Sequence, residues 1–236
     1  MLFSIIIPAH NEEKYLPVCI EYIKKQQGNF AYEIIVVDNN STDSTFEIAK
    51  SLGVKVIEEK RQGVGQARKT GTDLAQGKYI INIDADTRLP EDYLLQVDRR
   101  FREDSGLVCV GGQFYFYDAN LFWCLIRPFL FNFFYVLSWL ALRRSISPAG
   151  NNMAFRKNIY DKTIGFDPDF KYGEENDLTT KLREFGKTKL DMSLKCFVSS
   201  RRLNLFDKDF WVYSLNLVWI ACIGRPFKNE LKPLKK

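Results

Sequence analysis

Lys78-Tyr-Ile-Ile-Asn-Ile-Asp-Ala-Asp-Thr-Arg-Leu-Pro90 decides how the rest of the chain is read. Tyr79 to Ile83 is an apolar, β-branched run of the kind that forms a strand buried on both faces. The run stops on Asp84 and Asp86. Residues i and i+2 of a strand share a face, so the two carboxylates leave the sheet on the same side. Hard oxygen ligands at the carboxyl end of a parallel strand suit a Mg²⁺- or Mn²⁺-phosphate complex. That edge is also where open α/β sheets bind ligands. Taken alone, the same pair reads equally as the start of a turn before Pro90.

Upstream, strand and helix patterns alternate. Leu2 to Ile7 is a short buried strand ended by Pro8. After Ala9-His10-Asn11-Glu12-Glu13, an amphipathic helix runs to about Gln27, with Leu16, Cys19, Ile20 and Ile23 at helical spacing. Glu12 and Glu13 are expected in its first turn, where the helix dipole favours anions. Glu33 to Val37 is a second strand, ending on the polar loop Asp38 to Asp43, which can cap a helix from Ser44 to about Ser51. Val54 to Ile57 is a third strand. Gly63 and Gly65 then open a helix to about Ala75. With the Tyr79 strand and a helix from about Glu91 to Arg102, the alternation occurs four times, as in a parallel sheet with helices on both faces. Gly63-x-Gly65 lacks the third glycine of a dinucleotide fingerprint and follows the third strand, so that reading is discounted. A basic, glycine-containing helix start can meet a diphosphate through Arg68, or can be a turn beside a solvated arginine.

The chain has 236 residues, 46% of them hydrophobic and 14% aromatic, enough for a full α/β core. Its net charge of +5 is too diffuse to argue for nucleic acid. Five scattered cysteines form neither a Cys-x-x-Cys pair nor a Cys/His cluster, which favours reduced thiols over disulfides or zinc. Met1 leads straight into a strand without a basic leader, so a cytoplasmic location is expected. His10 is the single histidine. It reads as a pocket or turn residue, and a Ser-His-Asp mechanism has no support.

Four segments in order carry a resemblance: Ser4 to Glu13, Ile34 to Asp43, Gly65-Gln-Ala-Arg68 and Ile83-Asp-Ala-Asp86. Together they look like the nucleotide-sugar-binding half of the family 2 glycosyltransferases, over roughly residues 2 to 190. The resemblance implies a three-layer α/β/α GT-A fold with a mostly parallel central sheet. It also implies a nucleotide-sugar donor and a divalent metal, Mn²⁺ or Mg²⁺. Pro8, Ala9, His10, Asn11, Glu12 and Asp38 would then hold base and ribose, and Arg68 would lie near the base or diphosphate. Asp84 would face the ribose with Ala85 beside it, and Asp86 would carry the metal, with Asp84 as the second candidate ligand.

From Gly106 the pattern changes. Leu107 to Gly112 and Gln113 to Tyr117 look like two strands. Ser147 to Phe155 resembles the family's second-half strand, in which Gly150 and Asn151 border the sugar. Tyr172-Gly-Glu-Glu-Asn-Asp-Leu178 opens a helix to about Phe185 and resembles the family's Gly-Glu-Asp-x-Asp-Leu signature, whose first Asp is the catalytic base. Glu175 occupies that position on a longer arm, which leaves Glu174 and Asp177 as alternative bases. From Lys195 on the chain is read as leaving the sheet pattern. Ser199-Ser-Arg-Arg202 brings arginines that suit a diphosphate or merely sit in solvent.

Leu121 to Leu142 is aromatic and apolar but broken by Arg127-Pro128 and Asn132, too short a clean run to span a bilayer. Phe210 to Ile223 is a second such run, followed by Arg225, Lys228, Lys232, Lys235 and Lys236. Both suit aromatic-rich helices on an anionic membrane surface, or a homodimer interface. The expected organisation is a catalytic domain over 1–200, divided at 104/105 into donor and acceptor halves, and a membrane- or partner-binding segment over 201–236. The resulting expectation is an inverting, metal-assisted sugar transferase acting on a lipid-linked or envelope-glycan acceptor. The alternative is a catalytically silent nucleotide-binding or assembly subunit of the same fold.

Overall fold

The computed structural model describes residues 1–120, 148–170 and 173–201. The chain forms β1 (Phe3–Ala9), α1 (Leu16–Lys24), β2 (Tyr32–Asp38), α2 (Thr45–Ser51), β3 (Lys55–Glu58), α3 (Val64–Asp73), β4 (Tyr79–Asn82) and α4 (Tyr93–Glu103). It continues with β5 (Leu107–Phe116), β6 (Met153–Arg156), α5 (Lys157–Tyr160), α6 (Glu174–Arg183) and β7 (Lys187–Val198). The strands make one seven-stranded sheet in the order β3-β2-β1-β4-β6-β5-β7. β1, β2, β3 and β4 are parallel, β6 runs against β4 and β5, and β7 is parallel to β5. Six strands therefore point one way, and their carboxyl ends share one edge.

The continuous apolar runs work because both faces of the sheet are covered. Ile5, Ile7, Val36 and Ile81 pack with Leu16, Cys19 and Ile23 of α1 and Leu94 and Val97 of α4. The alternate residues Ile6, Ile35, Val37 and Ile80 pack with Ala67 of α3 and Leu178 and Leu182 of α6. Removing either helix layer would strip one side of every central strand, which is why the helical periodicity and the strand runs specify the same fold.

Three sequence expectations are corrected. Glu12 and Glu13 lie before α1, not in its first turn. Pro17 sits in the helix's opening turn, and the Glu12 carbonyl accepts from Tyr15 N and Leu16 N in the turn ahead of it. Leu107 to Phe116 is one strand, whose register against β7 shifts between Gly112 and Gln113. The chain does not leave the sheet at Lys195, because β7 continues to Val198 as an edge strand with Leu194, Cys196 and Val198 inward. Residues 121–142 and 210–223, read as aromatic-rich helices, lie outside the described residues. Among the described residues no helix is long and apolar enough to cross a membrane.

Candidate active site

The shared carboxyl edge gathers the chemically capable residues. Ala9 stands opposite Asp38 where β1 and β2 end. Ile83 N donates to Ile6 O, so Asp84 emerges at the same edge. β6 runs the other way, which brings the preceding turn, with Gly150 and Asn151, to this edge. β7 delivers Ser199 to Arg201 there, because its end is pinned to the Asp86 loop: Arg88 N donates to Phe197 O at 2.7 Å and Phe197 N to Arg88 O at 3.0 Å.

The first two turns are fastened to each other. His10 Nδ1 donates to Asn39 O at 2.8 Å, and Asn11 Oδ1 accepts from Thr42 N at 2.8 Å. Asn11 adopts a positive φ of 57°. Asn39 extends the lattice to the next loop: its Nδ2 donates to Glu59 O and Arg61 O, and its Oδ1 accepts from Gly63 N at the start of α3. Asp38, at the centre of this frame, is buried. Its Oδ2 accepts from Ser41 N at 3.4 Å, while its Oδ1 has no hydrogen-bond partner. A buried acceptor left without a protein donor is costly.

Arg68 is the hinge of the site. Its Nη2 reaches Asp84 Oδ1 at 2.9 Å and its Nη1 pairs with Glu174 Oε1. The arginine and Glu174 are buried, whereas the Asp84 side chain keeps 36% exposure. Gly150 closes over the guanidinium: a Cβ there would lie 2.2 Å from Arg68 Nη1. α6 can begin at Glu174 because Gly173 takes a left-handed φ of 77°, which costs glycine little. Burial raises Glu174, and its hydrogen bond to Glu175 adds to the shift against the pull of Arg68; its carboxyl moves from 4.5 to about 8. Glu175, in the same first turn, is also buried.

A second arginine spans the opposite side. Arg201 Nε reaches Asp86 Oδ2 at 3.1 Å, and its Nη2 reaches the two Glu12 oxygens at 2.5 and 2.6 Å. Its guanidinium carbon lies 4.1 Å from the centre of the Tyr15 ring. Burial works against this cation, but Glu12 and Asp86 outweigh it and raise its pKa further.

A comparison of the chain with protein-family models matches Glycosyl transferase family 2 over residues 4–164, more than half of its length. The chain belongs to this family. Its relatives include the glycosyltransferase GlyG of Streptococcus pneumoniae, 32% identical over 52% of this chain and 46% of that protein. They also include the chondroitin synthase of Escherichia coli, 36% identical over 46% of this chain and 16% of that protein. The chain thus spans less than half the length of these relatives. Among solved structures, a mannosyltransferase of Pyrobaculum calidifontis in complex with GDP-Man and Mn²⁺ superposes with a TM-score of 0.74 at 19% identity, covering 93% of this chain and 62% of that one. Glucosyl-3-phosphoglycerate synthase of Mycobacterium tuberculosis, with Mn²⁺ and UDP, gives 0.68 at 20% identity over 95% and 81%. These likenesses establish the GT-A fold.

Within this family 2 chain, the structure brings Glu12, Asp38, Arg68, Asp84, Asp86, Gly150, Glu174 and Glu175 to one sheet edge. Pro8 and Ala9 line the end of β1, and Ala85 is buried between the two aspartates. Asn151 keeps a buried Oδ1 without a partner. Asp177 is set apart: Lys181 holds it at 2.5 Å and also donates to Gly165 O. Arg68, expected near base or diphosphate, is enclosed between Asp84 and Glu174. Sequence reasoning missed Tyr15 beneath Arg201 and the bracing by Asn39. The second had a signal in its place directly after a buried strand; the first had none.

The donor set is compatible with a divalent cation. Asp84 and Asp86 supply hard oxygens, and Asp84 has one oxygen committed to Arg68 and a partly exposed side chain. Among the described residues no three His, Cys, Asp or Glu side chains are grouped to hold a metal. A cation held by Asp84 and Asp86 would draw its remaining ligands from diphosphate and water, a pattern that suits Mg²⁺ and Mn²⁺.

Proposed function

We propose that this chain transfers a sugar from a nucleoside-diphosphate donor to an acceptor hydroxyl, with inversion and with a divalent metal. The observation that carries the reading is the bridge from Asp84 through Arg68 to Glu174, which ties the carboxylate at the end of β4 to the first turn of α6, where Glu175 also lies. Asp38 offers its unpartnered oxygen to the base, and Asp84 faces the ribose. The turn from Pro8 to Glu12 and the Gly150-Asn151 turn border the nucleotide and the sugar. Asp84 and Asp86 would hold the cation, which when bound neutralises the charge that develops on the departing diphosphate. Glu175 takes the proton from the attacking hydroxyl. A base across the sugar from the leaving group favours single displacement and so inversion.

The GDP-Man complex of a GT-A neighbour and the likeness to a chondroitin synthase support this class of donor and a glycan acceptor; the lipid-linked alternative rests on the aromatic runs and basic tail of the sequence. The domain division at about residue 200 and a peripheral site at the inner face of the membrane belong to the same proposal. They rest on the aromatic runs at 121–142 and 210–223 and on the basic tail. A silent subunit is disfavoured by the retained acidic residues, each at the sheet edge.

The test is Glu175→Gln assayed with UDP- and GDP-sugars, Mn²⁺ and membranes. Nucleotide release is expected to fall by about 10² to 10⁴-fold, the usual contribution of a general base. Donor binding followed by thermal shift is expected to persist. Wild-type turnover by the variant would remove Glu175 from this role. Release by neither protein, with any donor, would favour the silent subunit.

A further inference from the structure

The metal reading of Asp86 meets an obstacle in the protein itself. Asp86 Oδ2 is already taken by Arg201, which also grips both oxygens of Glu12. The contact is built rather than incidental. Ser199 Oγ and Ser200 N donate to the Asp118 carboxylate at 2.6 Å each, fixing the backbone just ahead of Arg201. The Arg88–Phe197 bridge fixes the end of β7 against the Asp86 loop. Tyr15 lies against the guanidinium. Glu12 and Asp86 are both buried, and two buried carboxylates without a counter-charge are expensive. Arg201 meets that need.

We propose that Arg201 is a resident counter-ion in the divalent-cation position, which metal must displace and which the donor diphosphate then recaptures. This rests on the donor-site reading of Asp86. A carboxylate oxygen facing a guanidinium at 3.1 Å cannot also face a metal along the same direction. Metal alone therefore competes with Arg201 and strands a guanidinium. Metal arriving with a diphosphate offers that guanidinium a charge-matched, bidentate partner close to where it already sits. The arrangement makes metal and nucleotide binding mutually dependent, and such coupling is reciprocal. The Arg201 side chain is 24% exposed, so it can leave through solvent without opening the core.

The experiment measures Mn²⁺ binding to the full chain by electron paramagnetic resonance, alone and with UDP or GDP. Wild type is expected to bind Mn²⁺ weakly by itself and at least tenfold tighter with the matching diphosphate. Arg201→Gln is expected to bind Mn²⁺ alone at least tenfold more tightly than wild type, and to lose most of the gain from the diphosphate. Equal or weaker Mn²⁺ binding by Arg201→Gln overturns the displacement while leaving the metal site intact. Absence of Mn²⁺ binding by both proteins, with and without either diphosphate, removes the metal site and the inference together. If Arg201→Gln fails to fold, Arg201→Lys is expected to move Mn²⁺ affinity in the same direction. Lysine keeps the charge but cannot span both carboxylates, so unchanged affinity there also overturns the inference.

Discussion

Arg68 and Glu174 are 106 residues apart in the chain and form a buried ion pair. The pair joins α3 to the first turn of α6. Removing Arg68 leaves the buried Glu174 carboxyl without its hydrogen-bond partner, which costs about 1–3 kcal/mol. Arg68→Leu is therefore expected to lower stability in urea by that order. Adding Glu174→Leu to it is expected to restore part of the loss. Strictly additive effects would mean that the two side chains do not depend on each other.

Glu174 also predicts a pH dependence. Burial and the neighbouring Glu175 raise its carboxyl from 4.5 to about 8 in spite of Arg68. A carboxyl with a raised folded pKa contributes stability that is present below its unfolded value of 4.5 and lost as pH rises through about 8. Relative to Glu174→Gln, the wild type should thus lose stability across this window, with a slope of at most about 1.4 kcal/mol per pH unit. Urea midpoints from pH 4 to 9 give the comparison. A constant difference between the two curves would show that Glu174 does not titrate there.

Gly150 should be intolerant of a side chain for one identifiable reason. A Cβ at this position would lie 2.2 to 2.5 Å from the Arg68 guanidinium. A free arginine could swing aside, but this one is held by both Asp84 and Glu174. Gly150→Ala is expected to cost about 1–3 kcal/mol, the usual range for overpacking. In an Arg68→Ala background the same change should cost little. An equal cost in both backgrounds would place the strain elsewhere.

The parts of this fold that could be read from sequence are those with local signals. β1, β2 and β4 are continuous apolar runs because helices cover both faces, and the acidic residues ending them sit where a parallel sheet exposes its carboxyl ends. The end of β7 around Lys195 carries no such run because it lies at the sheet's edge. Its Leu194, Cys196 and Val198 alternate with Lys195 and Phe197, a period of two that a search for unbroken apolar runs passes over. The inward turn of Arg68 depends on the smallness of Gly150 and on Glu174, contacts that have no local spacing to announce them. Arg201 and Glu12 are 189 residues apart, and the bridge that pins the end of β7 to the Asp86 loop brings them together.

Asp38 carries the last prediction, a trade between stability and binding. Its buried Oδ1 has no hydrogen-bond partner in the protein, and an unsatisfied buried carboxylate is costly. Such a cost survives where an arriving donor group repays it, here the nucleotide base or ribose. Asp38→Asn keeps an oxygen for Ser41 N and removes the charge. It should raise the unfolding free energy by about 1 kcal/mol, since a buried amide with one group unpaired costs less than a buried carboxylate in the same position. It should also weaken binding of the matching nucleoside diphosphate at least tenfold, the equivalent of about 1.4 kcal/mol. Urea unfolding and thermal shift with UDP and GDP measure the two effects separately. A variant that is both less stable and equally good at binding would mean that Asp38 serves the β2–α2 turn and not the ligand.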